Sequence, residues 1–171
     1  SLIQELTGLP VVCGHELAQS LGAYERGVTA YLNAQLLPVA ESFLKTVVSE
    51  IERRGLNPKI AMLRCDGSVV SMHEAMKKPI ESVFSGPAAS LLGASYLSGH
   101  ETCSVIDVGG TSTDVSLIYK GLPYLSEAGA VVGGWQTKVR ALRMETSAMG
   151  GDSHIWLQGS KLDGLQLLDA A

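Results

Sequence analysis

Residues 106–115 read Ile106-Asp107-Val108-Gly109-Gly110-Thr111-Ser112-Thr113-Asp114-Val115, a run of the residue types that bind phosphate. An apolar strand delivers the Asp107 carboxylate to its end. Gly109 and Gly110 then remove two side chains, so backbone N–H groups can come close to an anion. Thr111, Ser112 and Thr113 follow, each with a hydroxyl able to donate to a phosphate oxygen. A carboxylate beside such a loop suits a hydrated Mg2+, which keeps several waters and takes one or two carboxylates. The plainer reading is a glycine hairpin between two strands, with a charge at each end. Against it stand three successive hydroxyls that a hairpin does not need. The charge of Asp107 after an apolar run is also costly without a partner.

Other reactive residues do not assemble a second site. His15, His73, His100 and His154 are scattered, and surface or core roles are expected for them. His154 stands apart, because Asp152-Ser153-His154 follows a glycine-rich segment where a nucleotide's edge could come. Cys13, Cys65 and Cys103 include no Cys-x-x-Cys pair, and three thiols cannot complete a disulfide framework. A reducing, cytoplasmic setting is the expectation. Ser85-Gly86 lacks the Gly-x-Ser-x-Gly frame of a nucleophile elbow, which rejects a serine hydrolase.

To hold Asp107 at a loop, the flanking chain must supply strands. Thr102 to Val108 reads as a buried strand and Asp114 to Tyr119 as an alternating one, with a tight turn at Gly109–Thr113. Lys120-Gly121 turns the chain again, and the stretch from Leu122 to Val139 supplies at least one more strand, interrupted by Gly133-Gly134. Upstream, Pro87 to Leu97 is a helix with Pro in its first turn and small side chains that permit close approach to another backbone. Lys59 to Cys65 is a strand before an Asp66-Gly67 turn. Ser71 and Glu74 then form the capping box of a short helix that Pro79 stops. Apolar residues at three- and four-residue spacing predict one helix over 19–37 and a second beginning at Pro38 and ending at Gly55. Pro10 to Gly14 reads as a short strand.

The chain has 171 residues, of which 46% are hydrophobic and 18% charged, enough for one domain with a buried core and a helical appendage. A net charge of −4 without a basic stripe argues against a nucleic-acid surface. No apolar run reaches the roughly 18 residues of a membrane helix, and the start lacks a signal-peptide pattern. The sequence opens without Met and as though in mid-domain, so a fragment of a larger protein is expected.

The run from Asp107 to Val115 resembles the second phosphate motif of the superfamily that holds actin, sugar kinases and the large heat-shock chaperones. Ser85-Gly86-Pro87-Ala88-Ala89 is similar to the connecting helix before that motif. More narrowly, the chain resembles the hydantoinase A/oxoprolinase family, which includes acetone and acetophenone carboxylase subunits. The residues that carry the likeness are Tyr24-Glu25-Arg26 with Leu32-Asn33-Ala34, the Asp66-Gly67 turn, Ser85-Gly86-Pro87-Ala88-Ala89 and Gly109-Gly110-Thr111-Ser112-Thr113-Asp114.

That resemblance implies an α/β, ribonuclease-H-like (actin-like ATPase) half-domain with a mixed sheet over 59–171, preceded by a helical segment over 1–58. It implies ATP and Mg2+ as cofactors, a cyclic amide, imide or ketone as substrate, and a hydantoinase B-type partner subunit in a possible oligomer. ATP would phosphorylate the carbonyl or amide oxygen and open it to hydrolysis or carboxylation. Carried over by residue, Asp107 would be catalytic and hold the Mg2+ shell through water. Gly109 and Gly110 would bring amides to the phosphates, Thr111, Ser112 and Thr113 would donate hydroxyls, and Asp114 would brace the loop.

Where the family usually runs His-Thr-Ile-Gly-Ala-Gly-Gly-Gly-Ser, this sequence has Glu145-Thr146-Ser147-Ala148-Met149-Gly150-Gly151-Asp152-Ser153. Gly150 and Gly151 survive as cofactor-binding candidates. Glu145 stands where His is expected, and Asp152 replaces a glycine where a carboxylate would repel phosphate unless a metal lay between. The first phosphate motif and the C-terminal remainder of the fold are absent, so the fragment alone is expected to be inactive. The alternative is a nucleotide-sensing or assembly module, as in the chaperone and filament members. Those members lack the Tyr-Glu-Arg and Ser-Gly-Pro-Ala-Ala pair seen here, which favours the enzyme.

Overall fold

The computed structural model describes residues 2–157 and 165–168. In chain order the first elements are α1 (Leu2–Thr7), α2 (Gly14–Leu17), α3 (Ala23–Arg53), β1 (Ala61–Leu63), β2 (Val69–Ser71) and α4 (Met72–Lys77). A 3-10 turn (Pro79–Ser82) leads into α5 (Ser85–Ser98), β3 (Cys103–Val108), β4 (Thr113–Tyr119) and β5 (Leu122–Pro123). After these come β6 (Val131–Val132), β7 (Trp135–Gln136), β8 (Met144–Ser147), β9 (His154–Leu157) and β10 (Leu165–Leu168). The chain is thus of the α/β class expected. It divides into two compact units, Ser1–Ala89 with Leu125–Leu142 and Ser90–Tyr124 with Arg143–Ala171. The boundary expected at 58–59 falls inside the first unit.

In the first unit, α3 runs unbroken for 31 residues with Pro38 inside it, where two helices were expected. The buried positions explain the continuity. Thr29, Asn33 and Leu44 are four and eleven residues apart, so one helical face stays in phase through the proline. That face carries a polar network. The Thr29 hydroxyl donates to the Glu25 carbonyl at 2.6 Å and accepts from the Lys138 amide at 2.9 Å. Asn33 Nδ2 donates to the Lys77 carbonyl at 3.1 Å, and its Oδ1 accepts from the Ile80 amide at 3.3 Å. Beside it, Cys65, Ile80, Ala130, Val139 and Ala141 form an apolar core, with Leu17, Leu32, Leu36, Phe84 and Val132 packed against them.

The local punctuation behaves as the sequence predicts. The Asp66 carboxylate caps the turn between β1 and β2 by accepting from the Ser68 amide at 2.9 Å, and Gly67 takes φ 84° there. The Ser71 hydroxyl accepts from the Glu74 amide and caps α4; the Glu74 carboxylate pairs with Lys77 instead of completing the box. Gly133 and Gly134 take φ 58° and 83° and close the β6–β7 hairpin. Pro10 to Gly14, expected as a strand, pairs with no strand among the described residues. The chain turns there into α2, which the Glu16 amide begins by donating to the Cys13 carbonyl.

In the second unit, β3 and β4 form the expected hairpin and pair antiparallel from Cys103↔Ile118 to Val108↔Thr113. β4 also pairs with β5 at one end and with β8 at the other, while β9 and β10 form a further antiparallel pair. Every strand pairing among the described residues is antiparallel, so the parallel part of a mixed sheet is not among them. The turns at 109–112 and 120–121 are too short for the crossover that parallel pairing needs. β3 is not the buried strand expected: its residues alternate, leaving Ile106 64% and Val108 63% exposed. Period-two geometry puts Asp107 on the opposite, more covered face, together with Val105, Ser116 and Ile118.

Candidate functional site

Asp107 sits one residue from the end of β3, directly opposite Asp114 on β4. Facing like charges destabilise a ladder unless something separates or neutralises them. Asp114 is held by Thr146 of β8, whose hydroxyl donates to Asp114 Oδ1 at 2.7 Å. This bond ties Asp114 of β4 to β8. The Asp107 carboxylate, unlike its backbone, has no hydrogen bond or ion pair among the described residues. A half-buried carboxylate without a partner is suited to receive a cation.

The loop beyond Val108 is closed by the Gly109 amide donating to the Ser112 carbonyl at 2.8 Å. Among the described residues the amides of Gly110, Thr111 and Ser112 have no hydrogen-bond partner, and neither do the hydroxyls of Thr111 and Ser112. These donors form a contiguous set on an exposed loop next to the Asp107 carboxylate. Thr113 differs from its two neighbours. Its one hydroxyl proton goes to the Met149 carbonyl at 2.6 Å, which ties the loop to the second glycine-rich segment.

That segment lies directly on the loop. The Gly151 amide donates to the Gly109 carbonyl and the Asp152 amide to the Gly110 carbonyl, each at 2.9 Å. The Ser153 hydroxyl accepts from the Gly150 amide at 2.9 Å and fixes the turn. A Cβ on Gly150 would collide with the Gly110 carbonyl oxygen, so this glycine is required for backbone-on-backbone packing. A Cβ on Gly110 would lie 2.7 Å from Asp152 Oδ2, which puts the Asp152 carboxylate beside the loop's unpartnered amides. Gly109, Gly110, Gly150 and Gly151 all lack positive φ, so backbone strain does not select glycine here; steric room does at Gly150 and Gly110, whereas a Cβ on Gly151 would make only an ordinary contact.

The structure therefore brings Asp107, Gly109, Gly110, Thr111, Ser112, Thr113, Gly150 and Gly151 into one neighbourhood. The side chain of His154 lies outside the described residues. Sequence reasoning did not foresee the Met149 carbonyl as the anchor of Thr113, because carbonyls carry no sequence signal. Among the described residues no group of three or more His, Cys, Asp or Glu side chains could cage a metal.

The first unit contains an open cavity of about 580 Å³ lined in part by Glu16, Lys78, Glu81, Glu127, Lys138 and Arg140. Glu81 pairs with Arg64 at 2.8 Å. Burial pushes its carboxyl up, and Arg64 and Lys78 only partly offset this. None of the cavity's lining residues belongs to the glycine loops. Among the described residues no helix is long and apolar enough to cross a membrane.

Comparison with known proteins gives this arrangement a context. The sequence matches the family model described as Hydantoinase/oxoprolinase over residues 26–163. It is 28% identical over 149 residues to the acetophenone carboxylase gamma subunit of Aromatoleum aromaticum, covering 85% of this chain and 20% of that one. With 5-oxoprolinase 1 of Arabidopsis thaliana it shares 32% identity over 146 residues, covering 83% of this chain and 11% of that protein. The crystal structure of the ATP-dependent caprolactamase from Pseudomonas jessenii superposes with a TM-score of 0.75 at 24% identity, covering 96% of this chain and 24% of that one. The chain thus spans a quarter or less of the length of each of these relatives.

Proposed function

The chain belongs to the hydantoinase/oxoprolinase family, and on that premise we propose that it carries one half of the nucleotide site of an ATP-dependent enzyme. The enzyme acts on a cyclic amide, imide or ketone. The observation that carries this reading is the set of donors at Gly110, Thr111 and Ser112 that have no partner among the described residues, beside the Asp107 carboxylate, which has none there either. A structural hairpin needs neither.

In this reading the second unit is part of a ribonuclease-H-like ATPase domain. Asp107 holds Mg2+ through its water shell, and the loop amides together with the Thr111 and Ser112 hydroxyls grip the phosphate oxygens. Thr113 and Asp114 keep the loop in place through Met149 and Thr146. Gly150 and Gly151 form the wall behind it. ATP, when bound, supplies the phosphoryl group that makes an unreactive carbonyl or amide oxygen open to hydrolysis or carboxylation. Preorganised donors of this kind act by positioning and by stabilising charge. The names of two relatives, an acetophenone carboxylase gamma subunit and a caprolactamase subunit alpha, support assembly with a partner subunit, which the family resemblance gives as the hydantoinase B type.

Calorimetric titration of the full-length protein with Mg·ATP tests the reading, beside the Asp107→Asn variant. Saturable binding to the wild type, weakened at least roughly tenfold by the substitution, is expected from loss of a charge-assisted contact. Absence of binding, or binding indifferent to the substitution, would overturn it.

A further inference from the structure

We propose that Asp152 is a specificity-determining residue: it makes the Gly109–Ser112 loop accept phosphate complexed to a divalent cation and reject the bare anion. This rests on the reading of the loop as a phosphate site. Asp152 is fixed at that loop by its own backbone, since its amide donates to the Gly110 carbonyl at 2.9 Å. Its Oδ2 lies 2.7 Å from the point where a Gly110 Cβ would stand. A Cβ stands about 2.5 Å from its own amide nitrogen, so the carboxylate lies within about 5 Å of an unpartnered loop donor. The carboxylate itself has no hydrogen bond or ion pair among the described residues.

The surrounding charges reinforce the effect. Asp107 and Asp114 face each other across β3 and β4 at the strand ends, and Asp152 adds a carboxylate on the loop itself, the three forming no metal cage. The described lysine and arginine of the second unit sit elsewhere. Lys120 lies over the Tyr119 ring, beyond the far end of β4, and Arg143 lies over Tyr124. Among the described residues of the second unit no basic side chain therefore offsets an incoming phosphate, which meets the Asp152 carboxylate within about 5 Å of the Gly110 amide. Repulsion at such separations near a protein surface weakens binding by roughly tenfold or more. A divalent cation carried by the phosphate reverses the sign, because the same carboxylates then attract the complex. With glycine at 152, the carboxylate nearest the loop amides would be gone and the penalty on the bare anion would be smaller.

The test is calorimetric titration of full-length wild type, Asp152→Asn and Asp152→Gly with Mg·ATP and, separately, with ATP in EDTA. Asp152→Asn keeps the shape and the backbone hydrogen bond to Gly110 while removing the charge. The expected result is that the wild type prefers Mg·ATP strongly and that both variants narrow this preference at least tenfold, chiefly by gaining affinity for metal-free ATP. An unchanged preference in both variants, with the wild type still binding Mg·ATP, would overturn the role of Asp152 and leave the phosphate site standing. No binding of either form by any of the three proteins would overturn the phosphate site and this inference together.

Discussion

The Cα of Gly150 turns its bare side onto the carbonyl oxygen of Gly110, and no side chain fits between them. The contact joins the two glycine-rich segments, which are 40 residues apart in sequence. Gly150→Ala is expected to push the 149–153 turn off the loop. Overpacking of this kind costs about 1–3 kcal/mol. The hydrogen bonds from Gly151 and Asp152 to Gly109 and Gly110 would be strained or lost, and Mg·ATP binding with them. Gly151→Ala is the control. Its added Cβ would meet nothing nearer than the Gly109 carbonyl oxygen at 3.8 Å, an ordinary contact. Thermal unfolding should separate the two, with Gly151→Ala within about 0.5 kcal/mol of wild type.

Asn33 is fully buried and joins α3 to both sides of the bend between α4 and the 3-10 turn. Asn33→Leu would leave the Lys77 carbonyl and the Ile80 amide without partners. Each unsatisfied buried group costs roughly 1–3 kcal/mol. Denaturant titration should show a large fall in midpoint. Thr46→Ala, which removes an exposed hydroxyl bonded to the Ser42 carbonyl on the same helix, should leave the midpoint almost unchanged.

The site was legible in the sequence wherever its chemistry lives in side chains or in local turns. Asp107, the hydroxyl run and the hairpin could be read because alternation and glycine punctuation act over a few residues. Thr113 could not be distinguished from Thr111 and Ser112, since its distinction is a bond to a carbonyl 36 residues away. The exposed face of β3 was missed for a related reason. Ile106 and Val108 are apolar residues in an apolar run, and a sequence does not say which faces of a sheet are covered. Pro38 misled because proline suits a first helical turn as well as it disrupts an interior. The phase of Thr29, Asn33 and Leu44, which only the fold reveals as buried, decided for one helix.

Pro38 consequently leaves the Ala34 carbonyl without its usual amide donor in the middle of α3. Pro38→Ala restores that donor at a position where helical φ and ψ already hold. The substitution is expected to stabilise, by at most the roughly 3 kcal/mol that separates proline from alanine in a helix interior. A rise in the midpoint of thermal unfolding checks it, with far-ultraviolet circular dichroism unchanged or slightly more helical.

The acid side of the stability profile should carry the signature of Glu81. Burial holds its carboxyl above the ordinary glutamate range despite Arg64 and Lys78. Over the window between the ordinary value and the raised one, the folded state binds more protons than the unfolded state. Stability from this group therefore falls as pH rises through that window, and the penalty is fully present above it. Glu50 and Glu74 act in the opposite sense, because hydrogen bonds from Arg53 and Arg54 and from Lys77 hold their carboxyls low. Both are exposed on helix surfaces and salt screens them. Glu81→Gln removes the first effect and leaves the second. The difference in unfolding free energy between wild type and Glu81→Gln, followed by denaturant titration across the acid range, should thus change steadily against the wild type as pH rises and then level off. A difference independent of pH would mean that Arg64 fully neutralises the burial of Glu81.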